Sequence, residues 1–375
     1  MKKLLTIIGA RPQFIKASAL HKRIREEYDG RLRETLLHTG QHYDINMNEV
    51  FFRELNLPEP DVNLEIPPGL PSTQTGQMVS GIGNYLKEHS FDWVVTYGDT
   101  NSTLAGALAA NYHQVPLVHI EAGLRSGNKM MPEEVNRILT DHSSSYLFTP
   151  TRSAIQNLIN EGFEDKEPVD KPNINNPLIQ KCGDVMLETI KDFREKSRPP
   201  SAISGLGASD YALVTFHRSE LLNDLNKLSN LLSNLTNFAN KTGLKLLIPL
   251  HPGTKKVLEG HAGFEDFLNH EKVLINPPFS YLENLYAIEN ATWVLTDSGG
   301  LQKESCYHEK KCLILRETSE WQELIDQDLC KVVGKDGREL NQAIQYPPSP
   351  NKERFNKIFS QEPPTQIICQ TLLRY

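Results

Sequence analysis

Short apolar runs recur along the chain, separated by longer stretches with helical spacing, and the alternation begins at once with Leu4-Leu5-Thr6-Ile7-Ile8. This is the βαβ rhythm of a mostly parallel sheet covered by helices. It persists to about residue 150, so the first half reads as doubly wound. The opening run is shorter than a signal-peptide core and leads straight into Gly9-Ala10-Arg11-Pro12, which makes it a first strand. Polar, proline-bearing sequence from Glu164 to Pro177 and a second break at Arg198-Pro199-Pro200 bracket the expected hinge. A second βα series then runs from Tyr211 to about Val333. Tyr346-Pro347-Pro348-Ser349-Pro350 interrupts it before a terminal helix-like stretch. The expected domains are 1–180 and 181–351.

Five strand-like runs end on residues that can do chemistry. Trp93–Tyr97 precedes Gly98-Asp99, Leu117–Ile120 precedes Glu121, and Leu213–Phe216 precedes His217-Arg218. Leu246–Leu250 precedes His251, and Trp293–Thr296 precedes Asp297-Ser298-Gly299-Gly300. Open α/β sheets bind ligands outside the carboxyl ends of their strands, so these residues point to one shared cleft.

Composition narrows the classes. A length of 375 residues suits two domains, and 38% hydrophobic with 23% charged residues suits a soluble globular protein. No apolar run approaches the roughly 20 residues of a membrane span. A net charge of −7 disfavours a dedicated nucleic-acid binder. Five cysteines without a Cys-x-x-Cys pair argue against a disulfide framework or a structural zinc site, and place the chain in a reduced cytoplasm. No metal is expected.

Gly9–Lys16 follows the first strand, with Pro12 suited to a first helical turn; a helix start there, flanked by Arg11 and Lys16, attracts anions. Its plainer reading is an ordinary turn with two solvated charges. In Asp297–Glu304, Gly299 and Gly300 let backbone N–H groups approach phosphate oxygens and Ser298 adds a hydroxyl. Glu304 stands six residues beyond Ser298, roughly 9 Å along a helix, where a carboxylate can accept from a ribose diol. The alternative is a glycine turn with a solvated carboxylate. His217 and His251 can stabilise a departing diphosphate or be structural, and Arg316 after another apolar run repeats the theme. Asp99, Glu121 and Glu133 are the acids available for proton removal and return, although Asp99 could instead cap a helix and Glu133 complement a helix dipole.

Taken together, Gly9-Ala10-Arg11-Pro12, Gly98-Asp99-Thr100, His119-Ile120-Glu121-Ala122-Gly123-Leu124-Arg125, Pro132–Arg137 and Thr296–Gly300 closely resemble the non-hydrolysing UDP-N-acetylglucosamine 2-epimerases over nearly the whole chain. The resemblance implies an α/β, GT-B-like fold of two Rossmann-like domains facing across a cleft, with the terminal helix, 352–375, returning to the first domain. It puts Arg11 and Lys16 near the nucleotide, Asp99, Glu121 and Glu133 at the sugar, and His217 at the diphosphate. Ser298, Gly299 and Gly300 fall on the phosphates and Glu304 on the ribose. Gln41, His42 and His251 match positions that bind a second, regulatory UDP-N-acetylglucosamine in some relatives, and Arg316 is grouped with them as a possible additional sugar contact. The resemblance also implies a homodimer. Two features depart from the glucosamine enzymes: the loop Ser126–Met131 is shorter, and Gln302-Lys303-Glu304 with Glu320-Trp321 is more similar to relatives acting on UDP-diacetamido-uronates.

The C2 hydrogen of an acetamido sugar has no adjacent carbonyl to stabilise a carbanion, so its removal needs activation. Redox activation by NAD is disfavoured, because no Gly-x-Gly-x-x-Gly follows the first strand and Gly81-Ile82-Gly83 lacks the third glycine; no cofactor is expected. The expected reaction is therefore C2 epimerisation of UDP-N-acetylglucosamine by anti elimination of UDP to a 2-acetamidoglycal and re-addition. The same inversion on a UDP-2,3-diacetamido-glucuronate is the alternative. A GT-B glycosyltransferase would instead transfer sugar to an acceptor, and a UDP-sugar sensor would bind without C2 exchange.

Overall fold

A computed structural model describes residues 1–41, 52–167, 170–203, 205–359 and 362–375. The chain forms two compact units, Met1–Asp192 with Ile358–Tyr375, and Phe193–Lys357. The first contains β1 (Lys2–Ile8), α1 (Arg11–Glu27), β2 (Leu32–His38), β3 (Val62–Asn63), α2 (Pro71–Glu88), β4 (Trp93–Tyr97) and α3 (Asn101–Tyr112). β5 (Leu117–Ile120), α4 (Pro132–Asp141), β6 (Tyr146–Thr149), α5 (Arg152–Asn160), β7 (Leu178–Lys181) and α6 (Val185–Phe193) follow. Its seven strands are all parallel in the order β3-β2-β1-β4-β5-β6-β7.

The second unit contains β8 (Tyr211–Thr215), α7 (Leu225–Thr242), β9 (Lys245–Pro249), α8 (Pro252–Glu259), β10 (Val273–Asn276) and α9 (Tyr281–Asn290). β11 (Trp293–Thr296), α10 (Gly299–Tyr307), β12 (Lys311–Ile314) and β13 (Cys330–Val332) complete its six-stranded parallel sheet, ordered β10-β9-β8-β11-β12-β13. Both orders reverse at their first strand, as in Rossmann sheets. Two Rossmann-like domains make this the α/β, GT-B-like class.

The continuous apolar character of the strands follows from burial on both faces. In the second unit Leu213, Leu247 and Val294 pack with Ala287 and Ile288 of α9. Their chain neighbours Val214, Leu246, Ile248 and Leu295 pack on the other face with Leu228, Leu231, Leu235 and Phe238 of α7. Alternation along each strand thus serves two cores. Each such side chain contributes about 1.5–3 kcal/mol through burial. In the first unit Leu5, Ile7 and Val94 meet Met78 and Ile82 of α2 and Ala105 and Ala109 of α3.

The chain remains with the first unit beyond the expected boundary at 180 because α6 grips α1. Thr189 Oγ1 donates to the Ile15 carbonyl at 2.9 Å, and Lys22 pairs with Asp192 at 2.9 Å. The terminal helix α11 (Pro364–Arg374) is fastened to the same surface. Glu188 accepts from Thr365 N at 3.0 Å, from Thr365 Oγ1 at 2.7 Å and from Arg23 Nη2 at 2.7 Å. Residues 352–357, expected in this terminal return, belong instead to the second unit. Glu188→Ala is expected to lower stability by about 1.5–3 kcal/mol, the range for hydrogen bonds to a charged group. Amide exchange should rise in Pro364–Arg374 before the rest of the unit, and unchanged exchange there would contradict this account.

Candidate active site

In the first unit β1 pairs with β2 on one side and β4 on the other, so the segments after β1 and β4 flank the point where strand order reverses. Gln13, buried in α1, fixes the first segment. Its Oε1 accepts from Gly9 N at 2.9 Å and Ala10 N at 3.0 Å, while its Nε2 donates to the Tyr97 carbonyl at 3.2 Å and Thr103 Oγ1 at 3.1 Å. The two flanks are thereby tied together, with half-buried Arg11 opening α1.

Lys16 and Glu121, both largely buried, form an ion pair. Gly98 lies against it with φ +64°, and a Cβ there would stand 3.1 Å from Glu121 Oε2 and 3.2 Å from Lys16 Nζ. A side chain would press on the pair. Glu121 itself has φ +77°, a left-handed conformation that costs on the order of 1–3 kcal/mol for a non-glycine residue and persists only where surroundings enforce it.

Asp99 Oδ2 accepts from Arg137 Nη2 at 2.6 Å, and the other arm of this buried arginine reaches Glu134 Oε2 at 2.6 Å. Asn136 Nδ2 donates to the Asp99 carbonyl at 2.9 Å. Asp99 is not the cap of α3, because Thr100 takes that place and accepts from Thr103 N at 3.2 Å. Half-buried Glu133 lies one helical turn before Arg137 on α4. Glu134 also accepts from Ser126 N at 2.9 Å and Gly127 N at 2.9 Å, which closes the short 126–131 loop onto the helix start. Gln41 Oε1 accepts from Ser102 N at 3.0 Å and Ser102 Oγ at 2.6 Å; His42 lies outside the described residues.

The second unit repeats the plan at β8 and β11, which pair with each other across its own reversal point. Asp297, buried at the end of β11, accepts through Oδ2 from His217 N at 2.7 Å and Arg218 N at 2.9 Å, and its Oδ1 lies 2.9 Å from His217 Nδ1. Burial pushes this carboxyl up, but the His217 ring and the two N–H groups outweigh burial and hold it below the usual carboxylate range. His217 is thus oriented from behind while its side chain stays 49% exposed.

Ser298 precedes α10 without a side-chain cap bond, so its hydroxyl does not cover the first N–H groups of that helix. Gly299 is required by close approach, since a Cβ would fall 2.1 Å from Glu320 Oε1. Glu320 Oε2 pairs with Arg316 Nη1 at 2.6 Å, and buried Arg316 Nη2 has no hydrogen-bond partner among the described residues. Gly300 is half-buried in the first turn of α10. Glu304 is buried rather than a solvated helix carboxylate. His251 caps α8, its Nδ1 accepting from Gly253 N at 3.2 Å.

The expected residues therefore fall into two sets. Arg11, Lys16, Gln41, Asp99, Glu121 and Glu133 belong to the first unit; His217, His251, Ser298, Gly299, Gly300, Glu304 and Arg316 belong to the second. Sequence reasoning missed the residues that fix them: Gln13, Glu134, Arg137 and Asp297 as an anchor. Asp297 had a signal, being a carboxylate directly after a buried strand. Gln13 and Arg137 had none for the contacts that matter most, because Tyr97 and Thr103 for the one and Asp99 for the other lie far along the chain. Among the described residues no group of three or more His, Cys, Asp or Glu is placed to hold a metal ion.

The family model described as UDP-N-acetylglucosamine 2-epimerase matches residues 24–371. The chain is 44% identical, over 86% of its length and 86% of the relative's, to UDP-2,3-diacetamido-2,3-dideoxy-D-glucuronate 2-epimerase of Pseudomonas aeruginosa. It is 38% identical, over 92% and 91%, to UDP-N-acetylglucosamine 2-epimerase of Methanocaldococcus jannaschii. The crystal structure of a UDP-GlcNAc 2-epimerase from that organism, in complex with UDP-GlcNAc and UDP, is similar with a TM-score of 0.88 at 34% identity, covering 100% of both chains.

The depressed Asp297 carboxyl carries a pH signature. Its unfolded value is about 3.9, so its contribution to stability is fully present above that pH and is lost as pH falls through the lower folded value. Urea unfolding of Asp297→Asn should give a deficit that is full near neutrality and shrinks below about pH 4. A deficit independent of pH would contradict the assignment.

Proposed function

The chain belongs to the UDP-N-acetylglucosamine 2-epimerase family, and we propose that it inverts C2 of a UDP-linked 2-acetamido sugar by eliminating and re-adding UDP. It is an isomerase of that class. UDP-N-acetylglucosamine, interconverted with UDP-N-acetylmannosamine, is the first substrate of this reading. In the elimination a carboxylate takes the C2 proton, the C1–O bond breaks with its electron pair leaving on UDP, and C1=C2 forms. In the return an acid delivers a proton to the opposite face of C2 while the UDP oxygen re-forms the bond to C1. Asp99, Glu121 and Glu133 supply the proton transfers.

The arrangement that carries this reading is the Asp297-held His217 beside the uncapped, glycine-bearing start of α10. Preorganised donors of this kind stabilise the charge that grows on a departing diphosphate. Arg11, Lys16, Ser298, Gly299 and Gly300 hold the nucleotide and its phosphates, Arg316 adds its second guanidinium arm, and Glu304 takes the ribose. A second, regulatory nucleotide sugar would meet Gln41 through its amide N–H groups, since its oxygen is taken by Ser102, and His251 at the start of α8.

A UDP-2,3-diacetamido-glucuronate is the second reading. The 44% identity to the Pseudomonas aeruginosa enzyme and the short loop closed by Glu134 favour it. A cytoplasmic setting is supported by five cysteines that are all free and buried. No described helix is long and apolar enough to cross a membrane.

Incubation with each sugar nucleotide in deuterated water, followed by NMR, should show C2 inversion with deuterium at C2 for the true substrate. Inversion without deuterium would exclude the exchange mechanism, and transfer to an added acceptor without inversion would mark a glycosyltransferase. Asp99→Asn and Glu121→Gln should each lower turnover by about 10²-fold or more while UDP binding is retained. Near-normal turnover removes that residue from the proton-transfer set.

A homodimer is supported by an apolar surface on two packed helices of the first unit: Tyr112, the last residue of α3, is 76% exposed, and Val135 and Leu139, one turn apart on α4, are 40% and 45% exposed. Leu139→Glu should convert the dimer to monomer in sedimentation velocity. A monomeric wild type at micromolar concentration would refute the dimer.

A further inference from the structure

His119 lies in β5 two residues before Glu121 and is fully buried. Its Nε2 is 2.8 Å from the Gly98 carbonyl, and its Nδ1 is 2.6 Å from Asp141 Oδ1. Asp141, the last residue of α4 and also fully buried, accepts through Oδ2 from Gly123 N at 3.0 Å and Arg125 Nη1 at 2.8 Å. Arg125 Nη1 also donates to the Leu124 carbonyl at 2.8 Å, and its Nε and Nη2 donate to Glu161 at 2.8 and 2.7 Å. The relay thus starts at the residue before Asp99, passes through the strand that leads to Glu121, and ends two residues after it. Its carboxylate sits on the helix whose first turn carries Glu133.

A core histidine that only fills space needs at most one donor and one acceptor. Here both ring nitrogens face oxygens, the Gly98 carbonyl on one side and the Asp141 carboxylate on the other, so the ring is held from both ends. Burial pushes the Asp141 carboxyl up, but His119 and then Arg125 outweigh it and hold it below the usual range. Ion pairs buried this completely are poor sources of stability, because desolvation offsets their attraction. What this one supplies is placement. Glu121 N and Ala122 N both donate to the Phe148 carbonyl at 3.0 Å, which fixes the start of the left-handed turn, and Asp141 fixes its end at Gly123.

We propose that His119 and Asp141 are positioning residues, which hold the Gly98-Asp99 and Glu121–Gly123 loops in one geometry and so set the rate of C2 proton exchange without touching the substrate. The inference rests on the epimerase reading above. A displacement of about 1 Å in a reacting group can cost about 10²-fold in rate, so the pair acts on turnover rather than on nucleotide affinity.

The test compares two amides. The Asn amide of His119→Asn reaches Asp141 in place of Nδ1 but leaves Gly98 untethered. The longer Gln amide of His119→Gln reaches Gly98 in place of Nε2. His119→Asn should lower kcat and C2 deuterium uptake together by about 10²-fold, with KM and UDP affinity within about twofold, and His119→Gln should recover part of the loss. Folding is checked by circular dichroism at the assay temperature. Asp141→Asn, which keeps the shape of the pair, should show the same kcat-against-KM split. Equal losses in kcat and UDP affinity, or wild-type kcat in folded His119→Asn and Asp141→Asn, overturn the proposal. If none of the three variants folds, the pair is a requirement of the fold and the proposal is likewise overturned. Wild-type protein in the same buffer separates the two claims: an inactive wild type refutes the epimerase reading, whereas an active wild type with equally active variants refutes only the positioning role.

Discussion

The N–H groups just beyond the carboxyl ends of parallel strands have left the ladder and need other acceptors, and buried side-chain oxygens supply them here. Gln13 takes Gly9 and Ala10, Glu134 takes Ser126 and Gly127, Asp141 takes Gly123, and Asp297 takes His217 and Arg218. Every loop that carries a candidate reactive group on these edges is held directly by such an oxygen or adjoins a loop that is. Leaving a buried donor unsatisfied costs about 1–3 kcal/mol, so the loops have few alternative conformations. Rigid loops at a strand-order reversal are what a group that must transfer a proton along one direction requires.

The anchors are charged, yet the fold gains little net stability from burying them. Asp141 and Asp297 are both buried, and the facing imidazoles with backbone donors, and Arg125 at Asp141, hold their carboxyls below the usual carboxylate range. Isolated, either would be a liability. In combination they convert a desolvation penalty into fixed orientation, for His119 in one unit and His217 in the other. The left-handed Glu121 belongs to the same economy of strain: its unfavourable φ is held by Phe148 on one side and Asp141 on the other.

Much of this was legible in the chain because parallel strands buried on both faces must be apolar throughout. Trp93–Tyr97, Leu117–Ile120 and Trp293–Thr296 announce themselves, and the first two residues after each are at the ligand-binding edge by topology alone. Asp99, Glu121 and Ser298 could be picked out for that reason. The anchors could not, because a hydrogen bond from Gln13 to Thr103 or from Arg137 to Asp99 joins positions with no shared periodicity. Glu304 could be picked out by its spacing from Ser298, but its burial could not, since a carboxylate on a helix looks solvated until its surroundings are known. The length of α6 in the first unit escaped notice because proline-rich breaks mark where helices stop, not which sheet they pack on; Thr189 and Asp192 decide that through α1.

On the proposed mechanism, exposure separates the groups that act from those that hold. Asp99 and His217 keep 32% and 49% of their side-chain surface, whereas Asp297 and Arg137, which orient them, keep 2% and 3%. A general acid or base must meet both its anchor and its substrate, so it cannot be fully enclosed; an anchor that met solvent would lose the low-dielectric leverage that fixes its partner. Lys16 and Glu121 are the exception, since both are largely buried and paired with each other. In the proposed reaction Glu121 would therefore exchange a proton at C2 only where the sugar displaces or shares the contact with Lys16. That requirement ties the reactivity of Glu121 to ligand binding, and it leaves Asp99 as the more accessible acid before the sugar arrives.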